Sequence, residues 1–167
     1  NLPNKNIFFI PDLNLGRLVA KQVPEKNVIL KKGFCPRHVA ITEDMVVETK
    51  KKYPQAKLAA HPECTEEVLK YADYIGSTSG IIDYVVDTDC EEFIIATVDG
   101  VFGEIRKKAP GKKLYTLTPD QVCVNMKMVT LDKVLDVLEQ ENNEVFVDEE
   151  VAKKAMKPLT RMLELAK

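Results

Sequence analysis

The stretch FIIATVDGVFGEIRKKAPGKKLYTL, residues 93–117, contains a short apolar run, a turn, a helix-like segment and a second apolar run. The runs Phe93–Ala96 and Leu114–Leu117 have the length of buried strands, and residues 100–108 between them are predicted to form a helix. Two strands joined through a helix form a βαβ unit, in which the two strands run parallel. This stretch therefore predicts an α/β fold.

The same alternation continues on both sides of this stretch. Further strands are predicted at residues 7–10, 28–30, 57–60, 74–76 and 144–147. Further helices are predicted at residues 14–21, 42–53, 65–72 and 80–86, from residue 130 onward, and in a C-terminal stretch that Pro158 should kink or restart. Asn14 is the expected N-cap of the first helix. The pattern predicts a parallel sheet covered by helices, with ligand sites at the carboxyl ends of its strands.

The chain also contains an internal duplication with a period of about 87 residues. In this alignment Gly16 corresponds to Gly103 and Cys35 to Cys123, and the helix near residue 42 corresponds to the one near residue 130. Solenoid repeats are shorter, at about 20–50 residues, so the period favours duplicated small α/β domains. The two copies begin and end within a unit, which is consistent with an incomplete set of three domains.

Composition and charge exclude several classes of protein. The 167 residues include 24 Lys and Arg against 26 Asp and Glu, a net charge of −2 that argues against a general nucleic-acid binder. No apolar run approaches the roughly 18 residues of a membrane-spanning helix, and the first residues lack the apolar core of a signal peptide. The four cysteines form no Cys-x-x-Cys pair. We therefore expect a cytoplasmic protein with reduced thiols and no membrane partner.

Cys35 and Cys123 are the first candidate site residues. Each follows a predicted strand, at equivalent positions of the two repeats, so the two thiols could meet on a pseudo-symmetry axis. Three such cysteines would leave one corner of a cubane iron–sulfur cluster without a protein ligand, and that iron could act as a Lewis acid. The alternative is that both are ordinary buried thiols. Cys64 and Cys90 have no equivalents in the other repeat and are expected not to be ligands.

Two further segments carry polar groups at predicted strand ends. In His61-Pro62-Glu63 the histidine and the glutamate can converge on one ligand, and the glutamate can serve as a general acid or base. The alternative is a turn in which Glu63 caps the next helix. Ser77 and Thr78 precede a predicted helix, where backbone N–H groups and hydroxyls can bind phosphate or carboxylate. The alternative there is a simple helix cap.

Six segments carry a more specific pattern than any of these alone. They are Phe9-Ile10-Pro11-Asp12-x-Asn14-Leu15-Gly16, Gly33-Phe34-Cys35-x-x-His38, His61-Pro62-Glu63-Cys64, Ala72-Asp73-x-x-Gly76-Ser77-Thr78-Ser79, Cys123-x-x-Met126-Lys127 and Arg161-Met162. In this order, and over essentially the whole chain, they closely resemble the quinolinate synthases. Leu13 departs from the family turn, where a Lys or Arg is common.

The resemblance implies three-layer αβα sandwich domains with parallel sheets, arranged about a pseudo-threefold axis, each giving one cysteine to a 4Fe-4S cluster. It implies condensation of iminoaspartate with dihydroxyacetone phosphate to quinolinate, a precursor of NAD, with loss of phosphate and two waters. In this scheme the cluster acts as a Lewis acid, and Cys35 and Cys123 are two of its ligands. The implied partners are these two small molecules and the oxidase that produces iminoaspartate.

The resemblance also implies roles for the other candidate residues. His61, Pro62 and Glu63 would contact iminoaspartate or its successors, with His61 and Glu63 catalytic and Glu63 transferring protons. Ser77 and Thr78 would bind a carboxylate or the phosphate of the substrates.

The family chain has a further N-terminal segment, which would contain the third cluster cysteine and would be a partner of this chain. On that basis residues 1–45 would end a middle α/β domain and carry Cys35. Residues 46–125 would form a complete domain that ends near Cys123, and residues 126–167 would pack on the first domain. The rival interpretation is a non-catalytic α/β ligand-binding fragment that kept the fold without the chemistry. A zinc–thiolate protein is a third possibility.

Overall fold

The structure, a computed structural model, describes residues 2–166. Its strands are β1 Asn6–Phe9, β2 Asn27–Leu30, β3 Lys57–Ala60, β4 Tyr74–Ile75, β5 Glu92–Ala96 and β6 Lys113–Thr116. Its helices are α1 Leu13–Gln22, α2 Pro36–Val39, α3 Glu43–Lys52, α4 Glu66–Leu69, α5 Thr78–Asp87, α6 Val101–Lys108, α7 Val124–Lys127, α8 Leu131–Gln140 and α9 Glu149–Leu165. Residues 5–124 form one compact unit, and residues 125–166 with 2–4 belong to a second.

The strands form two parallel sheets. β1 pairs with β2, and the other four strands form a sheet in the order β4-β3-β5-β6. Every strand pair found in the described residues is parallel. Parallel neighbours need crossover connections, and helices supply them here. The predicted α/β class with parallel sheets is therefore confirmed.

The central strands β3 and β5 are buried on both faces of their sheet. On one face, strand residues pack against α3 and α4 in a buried cluster that includes Leu58, Ala60, Ile94 and Ala96 from the strands and Val46 and Val68 from the helices. On the other face, strand residues pack against α5 and α6 in a second cluster that includes Ala59, Phe93 and Ile95 from the strands and Ile81, Val85, Phe102 and Ile105 from the helices. Strands covered on both faces appear in sequence as continuous apolar runs. This arrangement gives the three layers of an αβα sandwich.

The duplication is visible in the order of the elements. Cys35 and Cys123 each directly precede a four-residue helix, α2 in the first copy and α7 in the second. A threonine then caps a ten-residue helix in each copy. Thr42 accepts from the backbone N–H of Met45, and Thr130 accepts from that of Lys133, both at 3.4 Å.

Asp12, and not Asn14, caps the first helix. Its Oδ1 accepts from the backbone N–H of Leu15 at 2.8 Å, and α1 begins at Leu13. The prediction of Asn14 as the cap was wrong, because the Asn14 amide donates instead to the carbonyl of Glu63 at 3.1 Å. Both residue types are good N-caps, and a tertiary contact decided between them.

Two predictions near the C-terminus were also wrong. Residues 144–147 are irregular and not a strand, with Val145 and Phe146 both 83% exposed. An apolar run becomes a strand only where a neighbouring backbone satisfies its polar groups, and the described residues supply none there. Pro158 lies inside one continuous helix, α9, so the predicted restart of the helix is not seen, and the kink stays a prediction.

No helix within residues 2–166 combines the length and the apolar composition needed to cross a bilayer.

Gly33 occupies a position that has no room for a side chain. An added Cβ would lie 2.1 Å from the Pro11 carbonyl oxygen, and the Gly33 carbonyl accepts from Leu13 at 2.8 Å.

We expect Gly33→Ala to lower the free energy of unfolding by about 1–3 kcal/mol, because the backbone must move. In the matched control, Gly103→Ala on α6, the added Cβ meets no atom within 4 Å, and a gain of about 0.5–1 kcal/mol is expected. Denaturant titrations measure both, and equal losses would contradict this account.

Candidate functional site

The carboxyl ends of three strands bring the candidate site together. Cys35 and His38 follow β2, His61 and Glu63 follow β3, and Thr97 follows β5. The backbone N–H of His61 donates to the Ala96 carbonyl at 3.1 Å, so the chain leaves β3 directly beside the end of β5. Parallel strands place their carboxyl ends at one edge, which is where α/β folds bind ligands.

Cys35, His38 and Glu63 form the tightest group at this edge. One ligand atom from each of the three lies within 4.8 Å of the others. The Oε2 atom of Glu63 is 3.0 Å from Nδ1 of His38 and 3.8 Å from Nδ1 of His61. The Glu63 side chain is 25% exposed, so a small molecule could still reach its carboxyl group.

The two imidazole rings are stacked, with centroids 4.4 Å apart and planes 16° from parallel. On its other side, His38 Nε2 lies 3.0 Å from the Thr97 hydroxyl. His38 Nδ1 is buried and makes no aligned hydrogen bond within the described residues, although Glu63 Oε2 approaches it closely. A carboxyl oxygen this close to a ring nitrogen can exchange a proton with it.

Burial controls the charge of both histidines. It lowers the pKa of His38 more than the nearby carboxyl groups of Glu63 and Asp12 raise it. Burial also lowers the pKa of His61, and repulsion from His38 lowers it further. Both rings are therefore neutral at neutral pH, and each has one nitrogen that donates and one that accepts.

The first candidate ligand, Cys35, is held by its backbone. Its N–H donates to Oδ2 of Asp12 at 3.0 Å, and its carbonyl accepts from Val39 at 3.0 Å in the first turn of α2. Pro36 occupies the first position of α2. The thiol is half-buried, which leaves the sulfur open to a ligand.

The loop that carries Cys123 is fixed by a buried glutamine two residues earlier. The Gln121 amide donates to the carbonyls of Ile95 and Thr97, and its Oε1 accepts from the backbone N–H of Leu117 at 2.9 Å. Residues of both cysteine loops, including His38 and Gln121, line one small cavity of about 30 Å³ together with Thr97. Because residues of both cysteine loops line this cavity together with Thr97, both loops reach the end of β5. Cys123 is half-buried, like Cys35.

Ser77 and Thr78 lie at the neighbouring strand end. β4 lies beside β3, and the backbone N–H of Gly76 donates to the Ala60 carbonyl at 3.1 Å. The Ser77 hydroxyl accepts from Gly80 at 3.2 Å and caps α5, which begins at Thr78 and not at Gly80 as predicted. The capping role considered for Ser77 is therefore present. Both side chains remain exposed at the start of a ten-residue helix.

Cys64 and Cys90 occupy different environments from the two candidate ligands. Cys64 is fully buried, its thiol donates to the Ala96 carbonyl at 3.4 Å, and burial raises its pKa to about 12. Cys90 precedes β5 and therefore lies at the amino edge of the sheet, opposite the site. These placements support the expectation that neither is a ligand.

The sequence analysis assigned no site role to four residues of this arrangement, which are Asp12, His38, Thr97 and Gln121, although Asp12 and His38 lie in segments that carry the family resemblance. His38 is a buried member of α2 in contact with Glu63. The only local signal was spacing, because His38 follows Cys35 by three residues and Gln121 precedes Cys123 by two. The considered role of Glu63 as a helix cap is not seen, because Thr65 is the N-cap residue of α4.

Comparison with known proteins assigns the chain to a family. The model of the quinolinate synthetase A protein family matches residues 1–164. The chain belongs to that family, which confirms the resemblance. Similar curated proteins are the quinolinate synthases of Fusobacterium nucleatum, 49% identical over 165 residues, and of Caldicellulosiruptor saccharolyticus, 45% identical over 166 residues. That of Clostridioides difficile is 41% identical over 166 residues.

Each of these three alignments covers 99% of this chain and 55% of the relative. The chain therefore spans about half the length of the curated relatives it matches.

Thiol reactivity tests the different environments of the cysteines. At pH 8 a thiol with a pKa of about 12 is a thiolate in roughly one molecule in ten thousand, so Cys64 should resist alkylation in the folded, metal-free protein. Cys35 and Cys123 are half-buried and should react at least tenfold faster. Peptide mapping after brief iodoacetamide treatment measures each rate, with the denatured protein as the reference. Alkylation of Cys64 as fast as that of Cys35 would show that Cys64 is not sealed in the core.

Proposed function

We propose that this chain carries the cluster-binding and proton-transfer residues of a quinolinate synthase, an enzyme of NAD biosynthesis. The proposed reaction condenses iminoaspartate with dihydroxyacetone phosphate to quinolinate, releasing phosphate and two waters. The observation that carries the proposal is the grouping of Cys35 with Glu63 and two stacked histidines at the carboxyl edge of the sheet, in a member of this family.

Cys35 and Cys123 are the proposed ligands of a 4Fe-4S cluster. Both thiols are half-buried, follow strand ends and occupy equivalent positions before a short helix, and thiolates are the usual protein ligands of such clusters. A third cysteine would come from a segment outside this sequence, consistent with the greater length of the relatives. When bound with one iron open, the cluster supplies a Lewis acid that polarises substrate oxygen atoms.

Glu63 is the proposed proton-transfer group. Its carboxyl lies beside the ring nitrogens of His38 and His61 and is partly open to solvent, so it can exchange protons with a bound molecule. The condensation removes two waters, and each departing hydroxyl needs a proton. The neutral ring of His61, which is 18% exposed, can orient a substrate carboxylate or carbonyl by donating a hydrogen bond. Pro62 keeps the two side chains on a short, restrained turn.

Ser77 and Thr78 are the proposed anion-binding group. The first backbone N–H groups of α5 have no partners within the helix, and they carry the positive end of its dipole. Hydroxyls and N–H groups in this position suit a phosphate or a carboxylate, which both substrates offer. β4 is the neighbour of β3, so this group lies at the same edge of the sheet as Glu63.

A mononuclear metal site is the second candidate. It is favoured by the mixed sulfur, nitrogen and oxygen set of Cys35, His38 and Glu63, which resembles the ligand sets of zinc. Under this alternative Cys123 would not be needed. A non-catalytic ligand-binding protein is the third, and it predicts neither metal nor turnover.

Anaerobic reconstitution of the complete gene product with iron and sulfide separates these candidates. We expect Cys35→Ser and Cys123→Ser each to reduce the visible cluster absorption at least tenfold, because each removes one thiolate ligand. The controls Cys64→Ser and Cys90→Ser should retain the absorption. Zinc without iron or sulfide in the purified protein, with Cys123→Ser unaffected, would instead favour the mononuclear site.

Glu63→Gln tests the proton-transfer role separately from cluster assembly. The amide keeps the size of the side chain but cannot transfer the proton, so we expect kcat for quinolinate formation to fall by about 10²–10⁴ with the cluster absorption retained. The matched control is Glu104→Gln on the exposed face of α6, which should leave kcat unchanged. Undiminished turnover by Glu63→Gln would remove the assigned role.

A further inference from the structure

We infer that Asp12 and Asn14, on the first turn of α1, are positioning residues that hold Cys35 and Glu63 in a fixed relation to each other. Their catalytic meaning rests on the proposed function, but the contacts themselves do not. The side chain of Asp12 accepts from the backbone of Leu15 and Cys35, and that of Asn14 donates to the backbone of Glu63, so both would act through the groups that they hold.

Asp12 uses both oxygens of a buried carboxylate. The residue is 3% exposed, and Oδ1 caps α1 while Oδ2 accepts from the backbone N–H of Cys35 at 3.0 Å. Helix capping alone requires only one oxygen, and α3 and α8 achieve it with threonine hydroxyls. The second oxygen is therefore committed to the candidate ligand. Hydrogen bonds from N–H groups to a carboxylate are roughly twice as strong as neutral ones.

Asn14 makes the complementary connection. It is 8% exposed, and its amide nitrogen donates to the backbone carbonyl of Glu63, 49 residues away in sequence. The direction of this bond requires an amide, because a carboxylate at this position would place an oxygen against the carbonyl oxygen. The helix-capping role expected for Asn14 is taken by Asp12, which leaves this contact as the function of its side chain.

These two contacts connect loops that belong to different sheets. Cys35 follows β2 in the two-stranded sheet, whereas Glu63 follows β3 in the four-stranded sheet, and the two sheets share no strand pair among the described residues. At the other end of α1, Lys21 pairs with Glu66, but both side chains are about 60% exposed and such pairs contribute little. The buried contacts of Asp12 and Asn14 therefore join the two loops through α1, alongside the direct contacts of His38 with Glu63 and His61.

Site-resolved alkylation of the metal-free complete gene product tests this without any assay of activity. Asp12→Ser keeps a capping hydroxyl, as Ser77 does on α5, but cannot reach Cys35. We expect the ratio of Cys35 to Cys90 alkylation rates to rise about fivefold or more, since Cys90 lies at the opposite edge of the sheet. Asn14→Asp should instead raise the ratio of Cys64 to Cys90, because Cys64 directly follows Glu63 and is sealed in the native fold.

Thr42→Ala is the matched control, because it removes the cap of α3 and should change neither ratio. If Asp12→Ser does not fold, Asp12→Asn serves in its place. Its amide keeps the capping oxygen and turns a donor toward the N–H of Cys35. Unchanged ratios in the folded Asp12 and Asn14 variants would overturn the inference, as would equal rises in Thr42→Ala.

Turnover provides the second readout. In the reconstituted protein we expect Asn14→Asp to lower kcat about tenfold or more, with the cluster absorption retained and KM changed by less than about twofold. A structural loss without a positioning effect would lower the absorption and kcat together. If the unaltered protein forms no quinolinate, the proposed function fails, whereas the alkylation ratios still decide the positioning role on their own.

Discussion

The parallel pairing of β3 with β5 is the constraint on which the site depends. Leu58 lies opposite Ile94 and Ala60 opposite Ala96, and all four side chains are fully buried. A slip of one residue would turn every buried side chain of a strand to the other face, so the packing on both faces fixes the register. That register makes His61 and Thr97 leave the sheet side by side. The position of the candidate site is thus a consequence of core packing.

Several buried polar side chains surround the candidate site and hold its loops in place. Asp12, Asn14, Thr97 and Gln121 are buried, and each has a hydrogen-bond partner that also fixes a loop. Nδ1 of His38 is buried as well, and Oε2 of Glu63 lies 3.0 Å from it. The buried polar groups therefore connect the loops of the site to one another and to the proposed proton-transfer group.

Local sequence signals determined most of the fold but only part of the site. The apolar run at residues 93–96 predicted a buried strand because no other element of that length places four such side chains in a core. The similar run at 144–147 failed, since a strand also needs a neighbour, and no local pattern reports one. The candidate residues at strand ends could be found from the α/β pattern and from the repeat. The cap assigned to Asn14 and the role of His38 depend on contacts with Glu63, 49 and 25 residues away, which the sequence does not reveal.

The duplicated copies share the machinery that presents a cysteine and differ in what surrounds it. In the first copy the backbone N–H of Leu13 donates to the Gly33 carbonyl, and in the second copy the backbone N–H of Asp99 donates to the Gln121 carbonyl. Gly33 and Gln121 each lie two residues before the cysteine of their copy. Asp12 corresponds to Asp99, but the two residues that contact Glu63 have no counterparts, since the positions equivalent to Asn14 and His38 are Val101 and Met126. Under the proposed function, the repeat would supply two equivalent cysteine ligands to the cluster, whereas the unrepeated polar residues around Glu63 would serve proton transfer. A reaction that needs both a symmetric set of ligands and a single acid–base group requires equivalent cysteines in the two copies and an acid–base residue in only one of them.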